Sequence, residues 1–416
     1  MSRTVAVLGG GVGGLAVARE LRSRLPREDR VVLVERNPRQ SYSSLFLRLI
    51  VGECEVRDVV RDISWVTRRG VELLEAEVLE IDPEKRTVET SRGEIAPDAL
   101  VVALGAERTL DGVPGAQEKA AGFYSLEEAR RLGEQLSTFS GGRVVIAVLG
   151  TPYSCPAAPY EAALLLEAYL RRKGLKFEIQ VVTPEPYPMP TAGPTVGNAL
   201  KEMLAQRGIL FRPRTRTIQV SEKSLTVKPL DVQGEGEASP EDMPFDLLIA
   251  IPLHRPPEPV ARSPLAREGF IPVDPFTLTT SFPGVWALGD VTSLPLPGRY
   301  RQDTPLLLPK AGVFAHRQAE VVAHQVAAYL HGDRTERRFD GVGFCFLEVG
   351  EAKAGFGAGR FFAQPAPDVR LFPPARKWYL GKELFVRTWL TWMKGKKTGE
   401  TLGRLMMSWA ERYLSS

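Results

Sequence analysis

A cysteine beside a helix start is the most reactive group this sequence offers. The run Gly150-Thr151-Pro152-Tyr153-Ser154-Cys155-Pro156-Ala157-Ala158-Pro159-Tyr160-Glu161 follows the apolar stretch VVIAVLG and opens a helical stretch that ends at Gly174. A helix N-terminus favours the thiolate, which is the reactive form of the residue, so Cys155 is expected to do thiol chemistry. Glu161, in the first turn of that helix, either moves a proton or stabilises the helix N-terminus. The remaining cysteines are Cys54 and Cys345. Three cysteines make no disulfide scaffold, their spacings fit no zinc site, and four scattered histidines give no metal centre. Cys54 is expected to be a free structural thiol. His316 and His324 share a helical stretch and read as packing or surface residues.

A second constellation is made of glycines. Gly9-Gly10-Gly11-Val12-Gly13-Gly14 sits between an apolar strand and a helix. Gly9 permits the tight turn, Gly11 lets the backbone approach a pyrophosphate, and Gly14 lets helix and strand pack closely. The helix N-terminus then faces the phosphates. Glu35 closes the second strand, 21 residues beyond Gly14, where a carboxylate bonds ribose hydroxyls and repels a 2′-phosphate.

The elements that must hold these groups are legible as apolar runs. Residues 5–8, 31–34 and 99–103 read as buried parallel strands, the last closed by Gly105. Another unit of strand, turn, helix and strand begins at Arg143. FDLLIAIP at 245–252 reads as a buried strand and VWALGD at 285–290 closes a further one, residues 234–244 read as a surface loop, and a helix runs from about 312 to 330. The turn at 150–155 keeps one glycine, and its prolines and tyrosines obstruct a pyrophosphate, so NADH is not expected as electron donor.

With 416 residues and a net charge of +4, the chain suits two or three domains and does not suit a nucleic-acid binder. The positive charge gathers in 376–416, with nine Lys/Arg against three Asp/Glu and four of the six tryptophans. Two short helices are expected there, broken at 394–399. Trp378, Phe385, Trp389, Trp392 and Met393 share one helical face, and Lys382, Lys394, Lys396 and Lys397 flank it, the composition of a helix lying on a membrane surface. No apolar run is long enough to span a bilayer. The N-terminal apolar run reads as a phosphate-binding turn and not as a signal peptide. The expectation is a protein peripheral to the cytoplasmic membrane.

The segment TTSFPGVWALGD at 279–290 resembles the second fingerprint of flavoproteins with two dinucleotide-binding domains, and ALVVALGAE at 99–107 resembles their intermediate fingerprint. That resemblance implies an α/β fold with two Rossmann-like (FAD/NAD(P)-binding type) domains plus a C-terminal amphipathic helical region. It implies a discontinuous FAD-binding domain at 1–108 and 245–330, and a second domain at 109–244 carrying Cys155. A segment at 331–375 carries Cys345, and the membrane-docking tail is 376–416. It gives Gly105, Gly289 and Asp290 a place in the FAD site, Asp290 on the ribityl chain. The helix after Asp290 would aim its N-terminus at the flavin, with Lys310 adding a positive charge.

CPAAPYE, with FDGVGFCFLEVGEAKAGFGAGRFFAQPAP near the C-terminus, resembles sulfide:quinone oxidoreductases over essentially the whole chain. The resemblance implies that Cys155 and Cys345 form a redox pair beside a non-covalent FAD. Sulfide or polysulfide would be the donor and a membrane quinone the acceptor. Two departures stand out. The third cysteine of the common type is missing, its region reading Gly122-Phe123-Tyr124-Ser125, and His254 is the one histidine near the expected sulfide route. Three rivals remain: a type-II NADH:quinone dehydrogenase, a soluble sulfide:cytochrome c dehydrogenase subunit, and an FAD-bound docking partner without turnover. Assembly into a homo-oligomer stays open.

Overall fold

Strand β1 (Thr4–Leu8) carries four consecutive buried apolar residues, which a strand covered on both faces requires. In the computed structural model, which describes residues 2–230, 239–267, 269–302, 304–395 and 413, β1 turns through the glycine run into α1 (Val12–Arg24) and returns as β2 (Arg30–Val34). A short helix α2 (Phe46–Ile50) and β3 (Glu72–Leu74) follow. Next come an antiparallel meander of β4 (Val78–Asp82), β5 (Thr87–Thr90) and β6 (Gly93–Ile95), and then β7 (Ala99–Val102), which pairs back onto β1.

The second unit repeats this plan. Strand β8 (Gly142–Val148) leads through the Cys155 turn into α3 (Ala158–Arg172), then β9 (Phe177–Val182), α4 (Pro194–Gln206) and β10 (Leu210–Arg212). A meander of β11 (Thr215–Val220), β12 (Ser224–Pro229) and β13 (Glu241–Pro244) follows. Strand β14 (Leu247–Ile251) then pairs parallel to β8. Two expectations change here. Residues 241–244 form a strand, not loop, because Met243 buries its side chain opposite Leu225. The return to the first unit comes later than residue 245: β14 completes the second sheet, and the chain crosses where Leu253–Arg255 pairs with Glu107–Thr109.

Strand β15 (Val285–Ala287) completes the first sheet in the order β15-β7-β1-β2-β3, all parallel. It leads to α5 (Gly312–His331), which lies against α1. Glycine is obligatory where α1 leaves the turn: a Cβ on Gly14 would lie 1.8 Å from the Gly9 carbonyl oxygen. Last come an antiparallel sheet of β16 (Val342–Glu348), β17 (Ala354–Arg360) and β18 (Asp368–Ala375), and the helix α6 (Arg376–Met393). Gly395, in the left-handed conformation at φ +73°, ends α6, as a helix C-terminus favours. Of the second expected tail helix, 401–414, only Tyr413 is among the described residues, and Lys396, Lys397 and Trp409 lie outside them.

Candidate active site

The glycine turn builds a cradle. Gly11 caps α1 with no side-chain partner on its amides, and no acidic residue sits in the first turn. Helix α5 begins in the same way at Ala311. The two uncapped N-termini converge: Val12 lies 3.7 Å from where a Cβ on Gly312 would sit. Two such helix ends favour anionic groups. The space over Gly11 and Gly105 is open, with no atom within 4 Å of a built Cβ. Glu35 accepts the Gly10 amide at 2.6 Å and the Asn37 amide at 2.8 Å, and each carboxylate oxygen retains acceptor capacity for a ribose hydroxyl. Gly289 gives its amide to Gln318 at 2.8 Å, and the Asp290 carboxylate bonds the Ser154 hydroxyl. These residues fit an FAD laid along β1 and reaching the N-terminus of α5.

Lys310 is buried just ahead of α5. Its ammonium donates to the backbone carbonyls of Asp290 and Thr292 (3.1 Å for the latter) and lies 3.5 Å from the Phe270 ring centre. Burial lowers its pKa to about 8. Its own carbonyl accepts the Cys155 amide at 2.7 Å, so the residue expected to serve the flavin also anchors the reactive cysteine.

Cys155 and Cys345 line one cavity of about 600 Å³, together with Lys310, Leu308, Phe344 and Met189. Both thiols are free. The chain brings them together from a turn and from the middle of β16, 190 positions apart. Cys155 adopts a left-handed φ of +55°, which costs a non-glycine residue about 1–3 kcal/mol. The Lys310 carbonyl and the Tyr124 hydroxyl, 2.9 Å from the Ser154 carbonyl, hold that conformation.

The thiol does not behave as its position before a helix predicts. Cys155 is exposed to the cavity that it lines; the protein packed around it, then Glu161, then Cys345, disfavour its thiolate, and burial and Glu161 do the same to Cys345. The Ala158 amide favours the thiolate but is outweighed. Pro159 removes one donor from the helix start, and Glu161 already offsets its positive end.

Glu161 is not a solvated helix-start carboxylate. It is buried, accepts Lys382 Nζ at 2.6 Å and the Glu348 amide at 3.0 Å. Lys382 also reaches Glu348 at 3.0 Å, and Arg48 grips Glu348 at 2.5 Å and bonds Glu383. Four elements, α2, α3, β16 and α6, therefore meet in one buried chain of alternating charge. Burial raises the Glu161 pKa, with Lys382 opposing and Glu348 adding to the rise. Burial also works against a charged Glu348, yet Lys382 and Arg48 hold it below the ordinary range. The sequence reading missed Arg48, Glu348, Glu383 and the role of Lys382. One signal was available: Lys382 lies four residues after Trp378, on the apolar face of its helix.

The turn at 150–157 has its own occupants. Tyr153 and Tyr160, both buried, donate to Glu185 at 2.8 and 3.0 Å, and the Thr183 hydroxyl donates at 3.1 Å. Glu185 follows β9 much as Glu35 follows β2, but the chain's own hydroxyls take the acceptor that Glu35 keeps available. Leu253 lies 3.1 Å from where a Cβ on Gly150 would be.

The tail departs from expectation. Trp378, Trp389, Trp392 and Met393 are buried against the body and not turned to a membrane. Trp378 stacks on Phe356 at 4.7 Å, Trp389 meets His316 at 4.8 Å, and Arg19 lies over Trp392 at 4.7 Å. Lys382 is buried and does not snorkel. The outward face carries Leu380 at 65% exposure and Leu384 at 49%. Among the described residues no helix is long and apolar enough to cross a membrane. His316 serves in packing. Cys54 stays apart from the cavity of Cys155 and Cys345, its sulfur 3.6 Å from the Leu45 carbonyl.

The sequence profile of the pyridine nucleotide-disulphide oxidoreductases matches residues 3–319. The chain belongs to this family. It is similar to the mitochondrial sulfide:quinone oxidoreductase of Mus musculus, at 25% identity over 87% of this chain and 79% of that one. It is 29% identical to an alternative NAD(P)H-ubiquinone oxidoreductase of Arabidopsis thaliana, over 79% of this chain and 67% of the relative. The fold matches the sulfide:quinone oxidoreductase structure from Aquifex aeolicus with a TM-score of 0.85, at 22% identity, over 95% of this chain and 92% of that one.

Proposed function

We propose that the protein oxidises sulfide or polysulfide through the Cys155–Cys345 pair and passes the electrons through a non-covalent FAD to a membrane quinone. The observation that carries this reading is the meeting of the two cysteines in one apolar cavity, next to the end of the FAD cradle. FAD, when bound, supplies a two-electron acceptor. In this reading the cysteines do the bond-making. A hydrosulfide ion attacks the Cys155–Cys345 disulfide, one sulfur becomes a persulfide, and the other leaves as a thiolate. Glu161 holds the proton released from sulfur, since its burial favours the protonated carboxyl. The loop at 40–44 carries no cysteine, which supports non-covalent FAD.

Side chains alternate along a strand, so Phe346 leaves β16 on the face away from Cys345, and Phe344, which also lines the cavity, packs beside it. There they meet Phe385 of α6, at 5.5 and 6.1 Å between ring centres. Phe344 and Phe346 belong to a buried core between β16 and α6. Contact with the membrane is assigned to the outward face of α6, where Leu380 and Leu384 lie one turn apart and Arg387 is exposed. The family also holds NAD(P)H-dependent relatives, but the Tyr153–Glu185–Tyr160 cluster argues against a nucleotide in the second unit.

The test is anaerobic mixing of the FAD-bound protein with sulfide, and separately with NADH, while the flavin absorbance is followed. Sulfide is expected to bleach the wild type, and Cys155→Ser or Cys345→Ser to abolish bleaching while keeping FAD. Normal reduction in either variant would end the pair mechanism. Bleaching by NADH alone would make the protein an NADH dehydrogenase.

A further inference from the structure

Residues 154–155, 290 and 310, far apart in sequence, close a ring of hydrogen bonds between the cysteine turn and the candidate FAD cradle. The Ser154 hydroxyl donates to Asp290 Oδ2. The Ser154 and Lys310 backbones pair as two parallel strands would, and the Cys155 amide donates to the Lys310 carbonyl at 2.7 Å. The Lys310 ammonium donates to the Asp290 carbonyl at 2.5 Å, which returns the ring to its start. Tyr124 and His254 hold the turn from outside. The Tyr124 hydroxyl donates to the Ser154 carbonyl at 2.9 Å, and the His254 amide donates to the Pro152 carbonyl at 3.1 Å.

The bond from Ser154 to Asp290 is more than packing. A hydrogen bond to a carboxylate is about twice as strong as a neutral one. A carboxylate has about four acceptor sites, so one hydroxyl fixes its orientation and leaves acceptors for a bound cofactor. Cys155 follows Ser154 directly and holds its left-handed φ of +55°, a conformation that persists only where its surroundings over-determine it. Ser154 therefore meets the carboxylate of the cradle with its side chain, and its main chain is held on both sides next to the reactive thiol.

We propose that Ser154 is a positioning residue that couples the cysteine turn to the cofactor. FAD held at Asp290 locks the turn that presents Cys155, and the locked turn slows the release of FAD. These are one coupling seen from its two sides, as linkage requires. No covalent bond changes, and no proton or electron moves. The inference rests on the reading that FAD lies against Asp290. It depends neither on the electron donor nor on which sulfur pairs with Cys155.

The test uses the full-length, FAD-bound protein. FAD release after dilution is followed by the fluorescence of free flavin. Amide hydrogen exchange of residues 153–157 is followed by mass spectrometry at saturating FAD. Ser154→Ala removes the hydroxyl and little else. It should release FAD about tenfold faster, the factor expected for one hydrogen bond to a charged group, and the 153–157 amides should exchange faster in step. The meander of β4, β5 and β6, which supplies no residue to the ring, should exchange as in the wild type. Ser154→Thr keeps a hydroxyl and should restore both measurements. Unchanged release in Ser154→Ala, faster release with an unchanged turn, faster exchange that includes the meander, or an equal loss in Ser154→Thr would each overturn the proposal. A wild type that carries no FAD would overturn the cofactor reading and this inference with it. Sulfide is absent from the assay, so a wrong donor would leave its outcome intact and would show only in flavin bleaching.

Discussion

Helix α6 has two apolar faces, and their separation can be tested by mutation. Trp389 is 8% exposed, with Tyr42, His316, Phe385 and Trp392 around it at 4.8–6.0 Å between ring centres. A buried tryptophan hides roughly 150–250 Å². At about 25 cal/mol per Å² that is about 4–6 kcal/mol as an upper bound, and truncation in a core costs about 3–5 kcal/mol. Trp389→Ala is therefore expected to lower stability by about 3–5 kcal/mol. Leu380→Glu and Leu384→Glu, on the outward face, should change it by no more than about 0.5 kcal/mol. Urea unfolding at one fixed FAD concentration measures both, and co-sedimentation with anionic lipid vesicles measures attachment. The double outward variant should lose vesicle binding and keep its unfolding midpoint. If Trp389→Ala were neutral to stability while abolishing vesicle binding, the buried face would be the membrane face and the packing argument would fail. For the same reason, deletion of 376–416 is not expected to be a clean release from membranes. It strips a wall from the core and takes Lys382 from Glu161.

Two further outcomes follow from local geometry. Gly14→Ala puts a methyl group 1.8 Å from the Gly9 carbonyl oxygen, a backbone clash that must deform the phosphate turn, so the purified variant should be colourless, with FAD content reduced more than tenfold; a yellow Gly14→Ala protein would refute the packing role. His254 is buried, and burial lowers its pKa from 6.5 to about 4. The folded state thus disfavours the imidazolium: stability is complete above pH 6.5 and is lost as pH falls towards 4, by at most about 3 kcal/mol. His254→Gln should flatten unfolding free energy across that window, and an unchanged slope would assign the acid sensitivity to another group.

Much of the candidate cofactor site could be read from the chain because it is local. Gly9, Gly11, Gly14 and Glu35 work through a turn and the ends of two adjacent strands, so their spacing carries the geometry. Asp290 and the helix after it lie far along the sequence, yet each sits at the end of a recognisable strand or at a helix start. The tail was legible as an amphipathic helix and misread as to where its apolar face points. Periodicity reports that a face is apolar, and is silent on whether lipid or protein covers it.

The sequence by itself determined the elements: which runs are buried strands, where the phosphate turn lies, where α6 stops, and that Cys155 precedes a helix. Only the tertiary structure decided the electrostatics. The fold set Cys155 among apolar walls beside Glu161, so the thiol is raised where a helix start alone predicts lowering. It also joined Arg48, Glu161, Glu348 and Lys382 from four separate elements into one buried network. The physical reason is range. Hydrophobic patterning and turn chemistry act over a few residues of chain, whereas burial and charge act through space and depend on every element that closes around a group.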